Sequence, residues 1–222
     1  VGGDLSSERL LLAYKMGIFP WFSDDDPILW WSPDPRLILY PGDIHVTRRL
    51  KRTLRQNVFT VSSDSDFDRV IRMCARLRMQ SGEGTWITDA MIRAYCRLFE
   101  AGYAHSVETW QNGVLVGGLY GVSLGGCFFG ESMFSRVSNA SKVALVSLAR
   151  YLQAHDFDMI DCQLTTQHLM WMGAREISRT NFLKHLQFSM RKKTLRGRWS
   201  VRLPGTRPPA APEPGDELFC DG

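Results

Sequence analysis

The stretch Met159-Ile-Asp-Cys-Gln-Leu164 decides the fold, because it follows a long amphipathic helical pattern and is itself typical of a β-strand. Alternate side chains of a strand point to opposite faces, so Asp161 and Gln163 are predicted to project from one face, about 7 Å apart. Strands flanked by helices are usually apolar on both faces, and unpaired buried polar groups cost stability. Two interpretations stay open at this point: an edge strand with a solvated face, or a reaction centre.

The chain before this stretch predicts an antiparallel meander followed by a helix. Residues 105–110, 114–122 and 127–134 alternate with period two and are separated by Asn112-Gly113 and Gly125-Gly126 turns. A helix capped by Ser138 or Asn139 then runs to about His155. A right-handed crossover is expected to bring strand 159–164 onto the sheet after the third strand of the meander.

Further elements are predicted on both sides of this unit. Helices are expected over residues 5–16, 46–56, 66–78, 89–101 and 180–190, and strands over residues 37–40, 59–61 and 199–203. The tail, residues 204–222, holds five of the ten prolines and few apolar residues, so it is predicted to be disordered.

Composition excludes several classes of protein. The chain has 222 residues of which 44% are hydrophobic, enough for a full core, and contains neither an apolar run of membrane-spanning length nor a signal-peptide pattern. Its five cysteines lack any Cys-x-x-Cys spacing, so a reducing cytoplasm is expected rather than a disulfide framework or a zinc site. Because the chain starts without Met, we expect missing N-terminal residues, which could have carried a targeting segment.

The helix over residues 46–56 has one strongly cationic face. Leu50 and Leu54 lie on the opposite side of the helical wheel. The face carries five cations and no acid: Arg48, Arg49, Lys51, Arg52 and Arg55. A solvated helix usually interleaves Glu or Asp for i,i+4 pairing, so phosphate binding explains this face better than simple solvation.

Tryptophans cluster in two proline-containing segments, residues 17–22 and 28–36, which are too apolar for an ordinary loop. They are either a small packed core or an aromatic platform for a ring-shaped ligand such as a nucleobase.

A meander, a helix and a further strand follow one another in the order of a GNAT-type acyltransferase. Such enzymes hold the coenzyme A pyrophosphate with a glycine-rich turn at the start of the helix after the meander. Residues 135–142 occupy that position here and contain no glycine. The order of elements therefore fits this fold, but coenzyme A does not fit as the donor.

Five ordered motifs resemble the leucyl/phenylalanyl-tRNA-protein transferase family. They are Gly17-Ile-Phe-Pro-Trp-Phe22, Trp30-Trp-Ser-Pro-Asp-Pro-Arg36, Gly84-Thr-Trp-Ile-Thr88, Gly130-Glu-Ser-Met-Phe-Ser135 and Ile160-Asp-Cys-Gln163. The resemblance implies an α+β fold: a GNAT-like acyltransferase domain, with a mixed, largely antiparallel sheet flanked by helices, and a small N-terminal domain. We expect the remainder of that N-terminal domain over residues 1–36 and the catalytic domain over 37–203.

The same resemblance implies the activity. Family members transfer Leu or Phe, with Met as a further possible cargo, from aminoacyl-tRNA to proteins that begin with Arg or Lys and so mark them for N-end-rule degradation. The donor is already an activated ester, so no cofactor and no metal are expected. The partners implied are charged tRNA and acceptor proteins, with no membrane, and a monomer is expected.

Site residues follow from the matching motifs. Gln163 is expected to contact the acceptor amine, with Asp161 orienting it or relaying a proton through it. The remaining candidates line the substrate cleft: Glu131 near the reacting groups, Trp21 and Trp86 around the terminal adenosine and amino acid, and Leu119, Phe128 and Met133 as walls of an apolar pocket. For the last three, core packing is an equally good interpretation. Thr166 and Trp171 depart from the family pattern and are left out of the site.

Two rival functions belong to different classes of protein. A coenzyme A-dependent N-acetyltransferase is disfavoured by the missing glycine-rich turn. A non-catalytic RNA-binding module is disfavoured by the pairing of Asp161 with Gln163 on one strand.

Overall fold

The computed structural model describes residues 1–23, 26–80 and 85–201. Within these ranges the helices are α1 (Ser7–Lys15), α2 (Arg48–Arg55), α3 (Phe67–Gln80), α4 (Asp89–Glu100), α5 (Ala140–Ala154), α6 (Gln167–Trp171) and α7 (Arg179–Ser189). The strands are β1 (Phe19–Pro20), β2 (Trp30–Trp31), β3 (Arg36–Leu39), β4 (Thr60–Ser63), β5 (Ala104–Gln111), β6 (Val114–Leu124), β7 (Cys127–Ser135), β8 (Met159–Gln163) and β9 (Arg175–Ile177). A short 3₁₀-helix covers Pro41–Asp43.

Seven strands form one mixed sheet in the order β4-β5-β6-β7-β8-β3-β9. Strands β7 and β8 are parallel, whereas the other neighbours in the sheet are antiparallel. Parallel neighbours need a long crossover, and α5 provides it. The predicted meander and the position of the strand that carries Asp161 beside it are confirmed.

Helices cover both faces of this sheet. Helices α2 and α5 pack on one face, where Leu50 and Leu148 are buried, and α1, α3, α4 and α7 pack on the other. Helix α5 approaches β6 so closely that a Cβ atom added at Gly117 would lie 2.5 Å from the Cβ of Ala140. A glycine at this position therefore permits the close contact between the sheet and α5.

The N-terminal segment adds a small two-stranded sheet, β1 with β2, next to α1. Its tryptophans are held by backbone carbonyls: Trp30 Nε1 donates to Gly2 O at 2.9 Å and Trp31 Nε1 donates to Trp21 O at 2.8 Å. Trp21 and Trp30 are partly buried, while Trp31 is exposed. The cluster is therefore packed on one side and open on the other.

The predicted strand over residues 199–203 is wrong for residues 199–201, which are not in a sheet. Side chains of β4 and the residue after it hold this segment instead. The backbone N of Trp199 donates to Asp64 Oδ2 at 2.6 Å, and the backbone N of Val201 donates to Ser63 Oγ at 2.7 Å. Residues 202–203 and the tail predicted to be disordered, 204–222, lie outside the described residues.

Two elements near the end of the chain, α6 and β9, escape sequence analysis. Helix α6 has five residues and β9 has three, too few to show a helical or strand period. No helix among the described residues has both the length and the apolar character needed to span a membrane.

Candidate active site

A cleft opens where β7 and β8 separate. The two strands pair only between residues 127–129 and 159–161, although β7 continues to Ser135 and β8 to Gln163. The space between the diverging strands encloses about 570 Å³. A cavity of this size accommodates a small-molecule-sized group, such as an aminoacylated nucleoside.

A β-bulge on β7 presents Glu131 at this cleft. The register between β6 and β7 shifts so that Glu131 has no residue opposite it. The flanking pairs are Tyr120 with Ser132 and Gly121 with Gly130. A Cβ atom added at Gly121 would lie 2.2 Å from the carbonyl oxygen of Phe129, so the bulge requires glycine on the partner strand. Bulges redirect side chains, and this one aims a carboxylate at the gap.

A second irregularity lies on β8. Asp161 is opposite Ile38 and Gln163 is opposite Leu37, which leaves Cys162 as an extra residue in the pairing with β3. Gln163 has φ of 57°, a left-handed conformation uncommon for a residue with a side chain. The simple alternation assumed for strand 159–164 therefore does not hold at its end, and Gln163 turns into the cleft.

The carboxylate of Glu131 is surrounded by neutral hydrogen-bond donors. Tyr14 Oη donates to Oε1 at 2.7 Å, Tyr95 Oη donates to Oε2 at 2.9 Å, and Gln163 Nε2 donates to Oε1 at 3.2 Å. The two tyrosine hydroxyls also contact each other. Burial raises the pKa of Glu131 from 4.5 to about 7, although both tyrosine hydrogen bonds act in the opposite direction. Glu131 can therefore gain or lose a proton near neutral pH.

Asp161 lies behind the cleft wall in an ion pair. Arg36 Nε donates to Oδ1 at 2.8 Å and Nη2 donates to Oδ2 at 2.6 Å, and both side chains are almost completely buried. The Arg36 guanidinium packs over the rings of Phe19 and Phe182, at 4.9 and 4.4 Å from their centroids. The backbone N of Gln163 donates to Asp161 Oδ1 at 3.0 Å. Asp161 thus contacts the backbone of Gln163, but only Gln163 lines the cleft.

An aromatic wall closes another side of the cleft. The rings of Trp21 and Trp86 are 5.0 Å apart, and the Arg78 guanidinium lies 4.0 Å from the centroid of Trp86. Arg78 Nε also donates to Ser132 Oγ at 3.3 Å, next to Glu131 on β7. The structure therefore brings the two predicted tryptophans together at the site, with a cation against one of them.

The apolar part of the cleft lies on the α5 side of the sheet. The predicted residues Leu119, Phe128 and Met133 all line it. Additional walls come from β8, α5 and α6 and the loops beside them: Leu145, Leu148, Ile160, Leu164 and Leu169. The helical period identifies the apolar face of α5, but only the separation of the strands decides which of its leucines reach the cavity.

The predicted cationic helix is present as α2, with Thr47 capping its start. Leu50 is buried and Leu54 is partly buried, while all five basic side chains are exposed. Within the described parts of the chain, none of the five forms an ion pair or side-chain hydrogen bond. Helix α2 packs on α5, which also forms a wall of the cleft.

Four residues of the site were missed by sequence analysis: Tyr14, Tyr95, Arg36 and Arg78. Tyr14 and Tyr95 sit within amphipathic helical patterns, where a tyrosine is indistinguishable from a core residue. Arg36 ends the Trp30–Arg36 motif, and that position was the one available signal for it. Arg78 is the last of several arginines in α3, and no sequence pattern indicates that it lies next to β7.

The fold and the site define an α+β protein whose substrate cleft lies between two diverging parallel strands. Comparison with known proteins adds the family. The model of the leucyl/phenylalanyl-tRNA protein transferase family matches residues 38–187, and the model of that family's N-terminal domain matches residues 3–34. The chain belongs to the leucyl/phenylalanyl-tRNA protein transferase family.

Individual relatives agree with this assignment. A leucyl/phenylalanyl-tRNA–protein transferase from Desulforapulum autotrophicum is 57% identical over 199 residues, covering 90% of this chain and 87% of the relative. One from Desulfatibacillum aliphaticivorans is 59% identical over 201 residues, covering 90% and 86%. One from Syntrophobacter fumaroxidans is 60% identical over 183 residues, covering 82% and 78%.

Solved structures are less similar. A conserved protein of unknown function from Bacteroides thetaiotaomicron has a TM-score of 0.43 at 13% identity, covering 77% of this chain and 60% of that one. The structure of L-PGS from Bacillus licheniformis has a TM-score of 0.41 at 10% identity, covering 89% and 65%. The described strands and helices themselves give the architecture, a mixed sheet flanked by helices.

Proposed function

We propose that the protein moves Leu or Phe from aminoacyl-tRNA to the N-terminal Arg or Lys of acceptor proteins, and that its domain is a GNAT-like variant. The observation that carries this proposal is a single cleft in which Glu131, with a pKa of about 7, lies beside an apolar pocket. The pocket suits an apolar amino-acid side chain, and the carboxylate suits proton transfer at the ester next to it.

The reaction joins the acceptor amine to the carbonyl carbon of the aminoacyl ester. A C–N bond forms, the ester C–O bond breaks, and the ribose oxygen that leaves takes up a proton. The acceptor amine, with a pKa of about 8, must lose a proton for attack. That first proton goes to solvent. The nitrogen gives up a second proton when it attacks the carbonyl carbon, and Glu131 accepts this second proton and returns it to the leaving oxygen, so protons balance without a cofactor.

Gln163 and Asp161 have different parts in this scheme. The Gln163 amide donates to Glu131 and lines the cleft, so it holds the acceptor amine beside the base. Asp161 acts as a positioning residue, because it binds Arg36 and the backbone N of Gln163 and does not line the cleft. This assignment keeps both residues in the mechanism and makes Glu131 the proton acceptor.

The apolar pocket accounts for the choice of amino acid. Leu119, Phe128 and Met133 together with leucines of α5 provide a surface for an unbranched or aromatic side chain. A β-branched side chain would be rejected by shape, a discrimination worth about 1 to 3 kcal/mol. Trp21 and Trp86 supply rings against which the terminal adenosine packs.

Helix α2 binds the body of the tRNA. Arg48 and Arg49 occupy the first turn, where the helix dipole disfavours cations, so their presence does not serve helix stability. Five exposed cations that lack acidic neighbours match a phosphate backbone. We propose that the acceptor stem lies along α2 with its 3′ end entering the cleft past α5.

The cellular setting follows from the same proposal. The four described cysteines, Cys74, Cys96, Cys127 and Cys162, are free thiols, which is consistent with a reducing cytoplasm. We propose that the protein acts there as a monomer, with a domain boundary near residue 36.

One observation speaks against a coenzyme A-dependent acetyltransferase. The backbone N of Ser141, in the first turn of α5, donates to Ser135 Oγ at 3.3 Å. An amide that a pyrophosphate would need is thus already engaged by a side chain.

Transfer of radiolabelled Phe from Phe-tRNA to a protein with N-terminal Arg tests the proposal directly. We expect labelled acceptor with the free N-terminal Arg and none when that terminus is acetylated. Label transfer from acetyl-coenzyme A instead, with none from Phe-tRNA, would establish the acetyltransferase and contradict our proposal.

The role of α2 has its own test. Changing Arg52→Glu with Arg55→Glu should raise KM for charged tRNA and flatten its salt dependence, by about 0.9 in the log–log slope for each phosphate that is no longer bound. Turnover of phenylalanyl-adenosine, which has no acceptor stem, should be unchanged. Arg93→Glu with Lys184→Glu, exposed positions on α4 and α7, provides the charge-matched control. Equal losses with both donors would assign α2 a structural role.

A further inference from the structure

The gap between β7 and β8 opens where a backbone hydrogen bond of the ladder is replaced. The last pair of the two strands is Phe129 with Asp161. The next bond of a parallel ladder would join the carbonyl of Gly130 to the backbone N–H of Gln163. That N–H donates instead to Asp161 Oδ1 at 3.0 Å. The carbonyl of Gly130 is therefore left facing the gap.

The backbone of Met133 faces the same gap. Directly opposite residues of an antiparallel ladder alternate between pairs that exchange backbone hydrogen bonds and pairs that do not. The backbone N of Arg136 donates to Val116 O at 2.7 Å, which fixes the phase of this alternation. Met133 is opposite Leu119 and an odd number of positions from Arg136, so this pair exchanges no such bonds. Its N–H and C=O point away from β6, and the ladder with β8 has ended before this residue.

Solvent exposure follows the same alternation. Gly130 and Met133 are partly exposed and line the cleft, whereas Ser132 and Phe134 are buried. Because Glu131 is the extra residue of the bulge, Gly130 and Met133 take the positions of alternate residues on a regular strand. The gap-facing edge of β7 therefore offers a carbonyl, an N–H and a second carbonyl in a row, the groups with which an added strand pairs.

The acceptor protein is the partner that suits this edge. In the proposed function acceptors share their first residue, and the residues that follow differ from one protein to the next. Contacts beyond the first residue therefore have to be made to backbone groups, which every sequence provides. The acceptor amine must also reach Glu131 and Gln163, and both lie where the gap opens.

We propose that the first three residues of the acceptor protein enter the gap as a short strand parallel to β7, in the place that β8 leaves. The acceptor amine donates to the Gly130 carbonyl, and the carbonyl of the first acceptor residue accepts from the Met133 N–H. The N–H of the third acceptor residue donates to the Met133 carbonyl. This inference rests on the proposed function, since it takes a protein N-terminus as the acceptor.

Two depsipeptides test this pairing on the unchanged protein. In an acceptor peptide that begins with Arg, an ester replaces the amide between residues two and three, which removes the N–H that should donate to Met133. In the control peptide the ester lies between residues three and four, where the lost N–H points away from β7. Transfer of Phe to the first peptide should have a kcat/KM about three- to tenfold lower than transfer to the control, as expected of one lost hydrogen bond.

Amide hydrogen exchange of the protein reports the same contact without the reaction. Adenosine with phenylalanine joined at the 3′ position through an amide, which resists transfer, is present in every sample. Addition of saturating all-amide peptide should slow exchange of the Met133 N–H by about tenfold or more, because the added strand protects it. The Phe134 N–H, which faces β6, is the matched control and should exchange at the same rate with and without peptide.

Other results overturn the inference. If the two depsipeptides have equal kcat/KM, the N–H of the third acceptor residue makes no contact with β7. Unchanged exchange of the Met133 N–H at saturating peptide would place the acceptor elsewhere in the cleft. Absence of label on the all-amide peptide contradicts the proposed function instead, so the two failures are distinguishable.

Discussion

Glu131 is partly buried and Asp161 is fully buried, on neighbouring parallel strands, and the partners of these two carboxylates differ in charge. Glu131 receives hydrogen bonds from two tyrosine hydroxyls and an amide, all neutral donors. Asp161 is held by two nitrogens of a buried guanidinium, that of Arg36. Glu131 has a pKa of about 7, whereas the charge of Asp161 is compensated by that of Arg36 in an ion pair.

The difference separates a proton-transfer group from a structural one. Neutral donors orient a buried carboxylate but do not cancel the cost of burying its charge, so its proton is exchangeable near pH 7. A guanidinium with good hydrogen-bond geometry compensates the charge of a buried carboxylate, and the pair connects the two strands that carry the side chains. The same type of residue therefore has a different role because of the charge that its neighbours carry.

The largest expected effect is on catalysis at Glu131. Glu131→Gln keeps the size and polarity of the side chain but cannot accept a proton, so transfer of Phe should fall by about 10²- to 10⁴-fold. The measurement is kcat at saturating Phe-tRNA. Glu100→Gln, at the exposed end of α4, removes an acid away from the cleft and should leave kcat unchanged. If Glu131→Gln kept full activity, a group other than Glu131 would be the proton acceptor.

The same variant should alter how stability depends on pH. Between pH 4.5 and about 7 the folded protein holds a proton on Glu131 that the unfolded chain releases. The free energy of unfolding should therefore decrease as pH rises through this window. Glu131→Gln should lose that part of the dependence, measured as urea midpoints from about pH 4.5 to 8. Parallel curves for the two proteins would show that Glu131 titrates normally.

The next effect is on stability at Asp161. Asp161→Asn leaves the charge of Arg36 buried without its counterion, which should destabilise the protein by about 3 to 5 kcal/mol. Chemical denaturation measures it. The double change Arg36→Met with Asp161→Leu removes both charges and should be less destabilised than the single variant, because no buried charge is then left unpaired. A neutral effect of Asp161→Asn would mean that the pair contributes nothing to the fold.

Sequence patterns predicted most of the scaffold, because its elements are long and regular. The meander, α5 and the strand with Asp161 have clear periods of about 2 or 3.6 and turn residues between them. Trp21, Trp86 and Glu131 came from motif resemblance, and the structure places all three at one cleft. Their roles stay predictions.

The details that create the site were beyond sequence analysis. The relation of Asp161 to Gln163 rested on strict alternation, which the extra residue Cys162 and the left-handed Gln163 interrupt. A bulge is set by pairing with a distant strand, so no local pattern reveals it. The partners of the two carboxylates lie far along the chain: Arg36 is 125 residues from Asp161 and Tyr14 is 117 residues from Glu131.

The smallest effect expected is a shift in the pH dependence of transfer. Tyr95→Phe removes a hydroxyl that lowers the pKa of Glu131, so that pKa should rise. Since Glu131 must be ionised to accept a proton, the acidic limb of the pH–rate profile should move to higher pH. Asp161→Asn should move it to lower pH, because the charge of Asp161 raises the pKa of Glu131 and that of Arg36 lowers it. The profile of kcat from about pH 5 to 9 records both shifts.

Tyr120→Phe is the matched control for this pair of shifts. Tyr120 is also buried and packs edge-on against Tyr95, but its hydroxyl has no hydrogen-bond partner among the described residues. Its removal should leave the acidic limb in place, because Glu131 keeps all of its donors. Opposite shifts in Tyr95→Phe and Asp161→Asn, with none in Tyr120→Phe, follow only if the limb is the titration of Glu131. Shifts in the same direction, or an equal shift in all three variants, would mean that the limb reports a general disturbance of the cleft and not the proton on Glu131.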